Sequence, residues 1–352
     1  MKRLILIFIV LSVITGCEKD FLSPDQVSIV YNEVFWKSEK DAEKAVLGIY
    51  SLYRGLMVNA QMYNRGDVTT GYLNKGWNGG SNAALYRPGN FSDVTGTQKS
   101  WGSYEAYSDW NGFYKVIAQA NLAITHIEDM PEDVFANGKK EELLAEAHFL
   151  RALTYYDVAI IWGNAPLVLE SIESSDQVID DDNVLINKPR STDIEIMESV
   201  LSDVDFAINN LEYGGTPVRA NKGSAEALAG YANLWMGFLK QRDGEPADPY
   251  ITKAVEVLEN VVMKGGYSLN AYTSTEDVQE MYRGLSSEAI FELNISFDDG
   301  ESYRVDSGNS GGGIEFLTSK LVPLDGDASK DRASSINWVP YDQKDFIYPE
   351  SK

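Results

Sequence analysis

The chain has 352 residues, with 30 Lys and Arg against 53 Asp and Glu, and a formal net charge of −23. A chain this acidic repels nucleic acid, while two histidines and one cysteine are too few for a three-His or Cys-rich zinc site or an internal disulfide. Its 44% hydrophobic residues can form a sizeable core, so a globular protein of one or two domains is expected.

Residues 1–16 have the pattern of a signal peptide. Lys2 and Arg3 precede an apolar run that is too short to span a bilayer as a helix. The following Ile14-Thr15-Gly16-Cys17 resembles the bacterial lipobox, in which small residues precede a cysteine that is lipidated and becomes the mature N-terminus. We therefore predict that Cys17 is lipidated, that residues 17–37 form a lipidated tether and entry segment, and that the acyl chains hold the protein on a membrane.

Six segments carry apolar residues at helical spacing. The spacing, together with capping and stop signals, predicts helices that begin near Ser38, run from Trp110 to Ile127 and from Lys139 to Trp162, begin at Thr192 or Asp193, and run from Ser224 to Lys240 and from Pro249 to Lys264. The fifth and sixth helices carry the apolar stripes Ala227, Leu228, Tyr231, Leu234, Trp235 and Phe238, and Ile251, Ala254, Val255, Leu258, Val261 and Val262. Helix pairs of this length are typical of tetratricopeptide-like units, although the repeat spacing is irregular.

The helical period is lost after Gly266. Phe291, Leu293, Ile295 and Phe297 alternate with polar residues, and this period of two predicts a strand. Residues 307–313 are Gly-rich and include a formal match to G-x-S-x-G. A nucleophile elbow needs a buried strand before this motif and a helix after it, so in a polar loop we interpret the match as chance.

A series of segments between residue 17 and about residue 332 matches the order of landmarks in a known family. They are Asp20-Phe21-Leu22-Ser23-Pro24, Val34-Phe35-Trp36, residues 41–50, residues 110–121, Glu146-Ala147-His148-Phe149-Leu150-Arg151-Ala152-Leu153-Thr154-Tyr155-Tyr156-Asp157, residues 162–168, residues 223–228 and residues 289–292. In this order they resemble the SusD/RagB family of Bacteroidetes outer-membrane lipoproteins. The acidic flank of Cys17 is similar to the signal that directs such lipoproteins to the outer face of the outer membrane.

The resemblance implies a mainly α fold, a tetratricopeptide-like helical-pair scaffold (SusD-like) with long irregular loops and a minor β component. We expect the SusD-like domain to cover residues 38–352, with the helical scaffold at about 38–265 and an irregular C-terminal part at 266–352. Members of the family usually continue past the region that resembles Asp331-Arg332, so this part is expected to be incomplete.

In function, the resemblance implies a binding module and not an enzyme, with no cofactor. Such a protein sits over a TonB-dependent, SusC-like transporter in the outer membrane and helps to capture a nutrient, most often a glycan. Delivery of an oligosaccharide or polysaccharide to that transporter, at the outer face of the outer membrane, is therefore the expected role.

The aromatic loop, residues 63–109, is the candidate binding site. It is rich in aromatic residues and glycines and has no helical or strand period, and a loop of this length is usually functional. Sugars need flat aromatic faces together with amide or carboxylate groups at their edges. We predict ligand contacts from Trp77, Asn78, Trp101, Tyr72 and Tyr86, whereas Trp110, which begins a helix, is expected to pack on the scaffold.

Other interpretations remain open at this point. The helix pairs could form a protein-interaction scaffold, or the chain could bind a non-glycan nutrient such as a peptide. A glycosidase would need a specific carboxylate pair, which the sequence does not identify. The run Asp180-Asp181-Asp182-Asn183 could ligate calcium, although a solvated acidic loop is the favoured interpretation. His126 and His148 both fall on predicted helices, where we expect them to pack or to cap.

Overall fold

The computed structural model of the chain describes residues 35–59, 73–75, 110–173, 177, 188–274, 277, 284–293 and 338–340. Within these ranges the chain forms six α-helices, which are α1 (Glu39–Asn59), α2 (Asn111–Asp129), α3 (Lys139–Trp162), α4 (Asp193–Asn210), α5 (Lys222–Arg242) and α6 (Asp248–Lys264). A short 3-10 turn, Glu132–Val134, connects α2 to α3. The mainly helical fold predicted from the sequence is confirmed.

Local side-chain chemistry sets the helix boundaries, and the sequence therefore predicts them to within two residues. At the start of α4 the Thr192 hydroxyl accepts the Glu195 N–H at 3.2 Å, and the Glu195 carboxylate accepts the Thr192 N–H at 2.7 Å. Such a capping box satisfies two N–H groups that the helix itself leaves unpaired. At the C-terminus of α3, Gly163 ends the helix with a positive φ of 70°.

Each helix packs mainly against its neighbours in the chain, and α1 also contacts α3. The pairs run antiparallel. Between α5 and α6, for example, Gly230 lies against Leu258 and Gly237 lies against Ile251. This serial stacking of antiparallel helices is the helical-pair arrangement that the sequence predicts.

One cluster of buried residues joins all six helices. Its largest fully buried side chains are Ile49, Phe113, Ile117, Ile127, Leu143, Phe149, Leu150, Tyr155, Ile196, Met197 and Met236. The helices are thus one packed unit that can hold loops in fixed positions.

The apolar stripe of α5 is exposed over much of its length, although an apolar stripe at helical spacing usually marks the side of a helix that faces the core. Tyr231, Leu234 and Phe238 are 61%, 45% and 53% exposed. The buried side of α5 carries many small residues beside Leu228, Met236 and Leu239, and the small residues allow close approach of the helix backbones. A Cβ atom added at Gly230 would lie 2.5 Å from Leu258.

The stripe of α6 divides in the same way. Ala254 and Val261 are buried together with Val257, while Ile251, Val255 and Val262 are 44%, 51% and 75% exposed. All of these residues except Val257 belong to the apolar stripe of α6. The helical spacing therefore does not distinguish the buried side of α6 from its exposed side.

The strand predicted around Phe291 is not found in residues 284–293, and its remainder lies outside the described residues. Phe291 instead packs edge-on against Phe149, with ring centroids 5.2 Å apart, and the Glu292 N–H donates to the Pro217 carbonyl at 2.8 Å. Contacts with the helices, and not a strand ladder, therefore hold this segment.

A short antiparallel pair is present elsewhere, between β1 (Leu73–Lys75) and β2 (Trp338–Pro340), with Asn74 opposite Val339. The sequence predicted no strand within residues 63–109, so β1 corrects the assignment of that whole segment as irregular.

Candidate functional site

The predicted binding residues Trp77, Asn78, Trp101, Tyr72 and Tyr86 lie outside the described residues, as does the predicted lipidation site Cys17. The acidic run 180–183 and the G-x-S-x-G match at 308–312 also lie outside them. The structure describes the helices that flank the aromatic loop and the scaffold around them.

The helices that flank the aromatic loop in the chain lie against each other, and we call their adjoining ends the root of the loop. The loop follows the C-terminus of α1 and precedes the N-terminus of α2, and these termini are adjacent. A Cβ atom added at Gly112 would lie 2.7 Å from the Leu56 Cδ1 atom. Within the loop, the β1–β2 pairing brings residues 73–75 beside residues 338–340. The loop is therefore rooted on the helix pair α1–α2 and has backbone pairing with the C-terminal segment.

An aromatic cluster lies at this root. Trp110 contacts Tyr114 and Trp162 edge-on, with ring centroids 5.8 and 6.0 Å apart, and Phe113 contacts Trp162 at 5.1 Å. The Arg190 guanidinium carbon lies 5.1 Å from the centroid of the Trp110 ring, a cation–π distance. Trp110 thus packs on the scaffold as predicted.

The segment after α3, residues 163–173, is held beside the cluster by hydrogen bonds from buried and half-buried side chains. The Tyr155 hydroxyl donates to the Val168 carbonyl at 2.8 Å and accepts the Val168 N–H at 2.7 Å. The Tyr114 hydroxyl donates to the Pro166 carbonyl, and the Asn121 amide donates to the Val168 carbonyl at 2.9 Å. Burial raises the pKa of Tyr155, so its hydroxyl remains a protonated donor at neutral pH.

Arg151 on α3 is the centre of a buried polar network. Its Nε and Nη2 atoms donate to the two carboxylate oxygens of Asp203 on α4 at 2.8 and 2.7 Å, and its Nη1 atom donates to the Asn121 amide oxygen at 2.9 Å. The His148 Nδ1 atom lies 2.7 Å from the same carboxylate. Burial alone would raise the pKa of Asp203, but the hydrogen bonds from Arg151 and His148 outweigh it and leave that pKa below its usual value.

A second network ties α1, α3 and the α4–α5 connection together. Glu146 is 1% exposed and accepts from Arg219 Nε and Nη2 at 2.7 and 2.5 Å. The Tyr50 hydroxyl donates to Glu146 at 2.6 Å and accepts the Ala220 N–H at 2.7 Å. Burial, with the Glu146 carboxylate beside it, holds the pKa of Tyr50 well above its usual range. A bidentate Arg–carboxylate pair of this kind fixes orientation as well as distance.

The two histidines pack, as expected. His126 stacks on Trp36, with ring centroids 4.7 Å apart, and its Nε2 atom lies 3.1 Å from Glu173 Oε2. His148 packs against Phe206 at 4.4 Å as well as binding Asp203. Sequence reasoning singled out neither Asp203 nor Arg190. In the sequence, Asp203 looks like any other polar residue of the predicted helix α4. No sequence pattern near Arg190 indicates that its guanidinium lies over the ring of Trp110.

Among the described residues, no group of three or more His, Cys, Asp or Glu is arranged to hold a metal ion. Within the same part of the chain, no helix has the length and apolar character needed to cross a membrane.

Comparisons with known proteins agree with this architecture. A family model of SusD-like proteins, described as "Starch-binding associating with outer membrane", matches residues 52–231. SusD-like protein P38 of Formosa agariphila is 28% identical over 232 residues, which cover 66% of this chain and 41% of that protein. SusD-like protein P25 of the same organism is 26% identical over 215 residues, which cover 58% of this chain and 36% of that protein. The chain thus spans about two fifths of the length of these curated relatives.

Solved structures show the same helical fold. A SusD homolog from Bacteroides thetaiotaomicron superposes with a TM-score of 0.62 at 22% identity, over 75% of this chain and 55% of that one. A laminarin-binding SusD-like protein superposes with a TM-score of 0.54 at 21% identity, over 72% of this chain and 51% of that one. Because the family model matches more than half of the chain, this chain belongs to the SusD-like family, which is described as starch-binding and associated with the outer membrane.

Proposed function

We propose that this chain is a lipid-anchored protein of the outer membrane that binds an oligosaccharide or polysaccharide through its aromatic loop and delivers it to a SusC-like, TonB-dependent transporter. Membership of a family described as starch-binding supports the ligand class. The observation that carries the site assignment lies in the helices that flank the aromatic loop: Leu56 of α1 lies against Gly112 of α2, two residues from Trp110, whose ring contacts Trp162. Anchoring of both flanks of the loop on one helical scaffold favours a binding role, because preorganisation lowers the entropic cost of binding.

The proposed contacts are the rings of Trp77 and Trp101, with Tyr72 and Tyr86 beside them and the Asn78 amide as an edge donor and acceptor. Aromatic faces cover the C–H patches of a sugar, and amides pair with its hydroxyl groups. A net charge of −23 favours a neutral ligand over an anionic one.

The first experiment is calorimetric titration of the protein lacking residues 1–17 with a panel of neutral oligosaccharides. Because the family is described as starch-binding and one structural neighbour as laminarin-binding, maltohexaose and laminarihexaose come first. We expect saturable binding of at least one glycan and no release of shorter products. A panel without a binder would contradict the glycan assignment, and product release would contradict the assignment as a non-enzyme.

The domain organisation proposed from the sequence also has a direct test. We propose a leader at residues 1–16, a tether at 17–37 and the SusD-like domain at 38–352, with Cys17 as the lipidated residue. Replacing the thiol in Cys17→Ser removes the acylation site, so the variant should leave the outer-membrane fraction of a Bacteroidetes host for the soluble fraction. Its presence in the outer membrane at the wild-type level would contradict lipidation at Cys17.

The transporter is proposed from the family resemblance. Co-purification from detergent-solubilised outer membranes of the native host should recover a TonB-dependent transporter with this chain. The second candidate function is a protein-interaction scaffold, which the exposed apolar side chains of α5 favour. In that case glycan affinity would not depend on Trp77 or Trp101.

A further inference from the structure

A cavity of about 820 Å³ lies in the helical scaffold between the N-terminus of α3, the C-terminus of α4 and the α4–α5 connection. Its lining residues all come from two stretches of the chain, within residues 138–146 and 209–221. This volume falls within the range of about 300–1,000 Å³ that is typical of small-molecule sites.

The cavity lies at the opposite end of α3 from the root of the aromatic loop. The root contacts Trp162 at the last position of α3, whereas the cavity is lined by Lys139 and Glu141 in the first turn. Because α3 has 24 residues, at about 1.5 Å per residue the two places are about 30–35 Å apart. The cavity is therefore distant from the root of the aromatic loop, and none of its lining residues belongs to that loop.

Some polar side chains of the lining are paired with other residues of the protein, and others are not. Arg219 is bound to Glu146, and Lys139 donates to Glu142 at 2.8 Å, so both cations are neutralised within the wall. The carboxylates of Glu141 and Glu212 have no partner among the described side chains, and both line the cavity, as do Asn209 and Thr216. Carboxylates accept hydroxyl hydrogens, and an amide both donates and accepts.

One aromatic ring is held in a fixed orientation at the wall. The Tyr213 hydroxyl donates to Glu226 at 2.7 Å, and Lys222 Nζ lies 5.7 Å from its ring centroid. A fixed ring beside free carboxylate and amide groups supplies the apolar and polar contacts that a sugar requires.

We propose that this cavity is a second binding site for a neutral oligosaccharide, separate from the aromatic loop. The proposal shares its ligand class with the proposed function, but it depends on different residues. Two sites on one rigid scaffold increase the avidity for a chain long enough to occupy both, so a polysaccharide would bind more tightly than a hexasaccharide.

The test uses maltohexaose and laminarihexaose with the protein lacking residues 1–17. The loop variant Trp77→Ala/Trp101→Ala leaves the cavity as the remaining site, and calorimetry should show residual binding. In that background, Glu141→Gln/Glu212→Gln should weaken the residual affinity at least tenfold. The matched control Glu198→Gln/Glu259→Gln makes the same charge change on the exposed surface of α4 and α6 and should leave it unchanged.

Hydrogen exchange locates the bound hexasaccharide independently of affinity. Saturating ligand should protect the backbone amides of residues 209–216 in both the wild type and the loop variant. Two results would overturn the second site and leave the proposed function intact. One is loss of all binding in the loop variant, and the other is residual binding whose affinity is unchanged by Glu141→Gln/Glu212→Gln. Wild-type affinity in the loop variant together with loss in the cavity variant would instead overturn the aromatic-loop assignment and support the cavity. No binding of either hexasaccharide to the wild type would contradict the second site.

Discussion

Asp203 is the residue on which the polar network between α3 and α4 depends. It is 4% exposed and accepts three hydrogen bonds, from Arg151 and His148. Removing one partner of a buried ion pair leaves the other charge without compensation, which typically costs about 3–5 kcal/mol. We therefore expect Asp203→Ala to lower the free energy of unfolding by about that amount in urea denaturation.

The matched control for this substitution is an ion pair of similar length on the surface. Lys253 Nζ lies 2.9 Å from Glu256 Oε1, but the two side chains are 46% and 61% exposed. Exposed pairs contribute about 0–1 kcal/mol, so Glu256→Ala should change stability little. Equal effects of the two substitutions would show that the Asp203 network does not stabilise the fold.

The depressed pKa of Asp203 gives its contribution a defined pH dependence. A carboxyl group whose folded-state pKa lies below the unfolded value of about 3.9 adds stability above that pH and loses it as the pH falls through the folded pKa. Asp203→Asn cannot ionise. The difference in unfolding free energy between wild type and Asp203→Asn should therefore shrink as the pH falls below about 4. If the difference in unfolding free energy between the two proteins grew as the pH fell below about 4, the lowered pKa of Asp203 would be contradicted.

The sequence alone identifies only part of the polar network around Asp203. His148 and Arg151 lie within the family segment at residues 146–157, but their partner Asp203 is separated from Arg151 by 52 positions in the chain. No local pattern connects them, because packing of α3 on α4 alone brings the groups together. The same holds for Glu146 and Arg219, which are 73 positions apart.

Among the elements, α5 shows how burial departs from the apolar pattern. Phe238 is 53% exposed, whereas Met236, two residues earlier, is fully buried. Truncating a buried methionine costs about 2–5 kcal/mol, and surface substitutions cost about 0.5 kcal/mol. Met236→Ala should thus lower the melting temperature markedly, while Phe238→Ala should have little effect. The reverse order would mean that the stripe faces the core after all.

Gly230 tests the close approach of α5 to α6. A Cβ atom at this position would lie 2.5 Å from Leu258, so Gly230→Ala forces the helices or the leucine to shift. Overpacking typically costs about 1–3 kcal/mol, more than the gain of about 1 kcal/mol in helix propensity. We expect Gly230→Ala to destabilise the protein in urea denaturation.

Gly55 on α1 is the control for that substitution, since a Cβ atom there meets nothing within 4 Å. Gly55→Ala should stabilise the protein by about 0.5–1 kcal/mol, because only the propensity changes. Stabilisation by both alanines would contradict tight packing between α5 and α6.

Helix positions were predictable because caps and stops, such as Thr192 with Glu195 and Gly163, act within a few residues. The side of each helix that is buried was harder to predict. The alternation at Phe291 and Leu293 predicted a strand, yet packing on Phe149 and a single backbone bond to Pro217 hold that segment instead. Alternating apolar residues can face a helical surface without pairing in a sheet.

For the whole molecule, the sequence predicts a stack of antiparallel helices, and the structure confirms it. The family match over residues 52–231 supports the same architecture. The site predicted in the aromatic loop has a defined root, Trp110 with Trp162 and Arg190, which the structure supplies. The cavity at the other end of α3 was not predicted, because its lining comes from segments that are distant in the chain and have no shared motif.

The central claim is glycan capture by the aromatic loop, and calorimetry of single substitutions tests it most directly. The protein lacking residues 1–17 is titrated with the tightest-binding glycan of the panel, alongside Trp77→Ala, Trp101→Ala and the exposed-aromatic control Phe238→Ala. We predict that each loop substitution weakens binding about tenfold or more, equal to about 1.4 kcal/mol, with an unchanged melting temperature, and that the control binds as the wild type does. Unchanged affinity in both loop variants would contradict the claim.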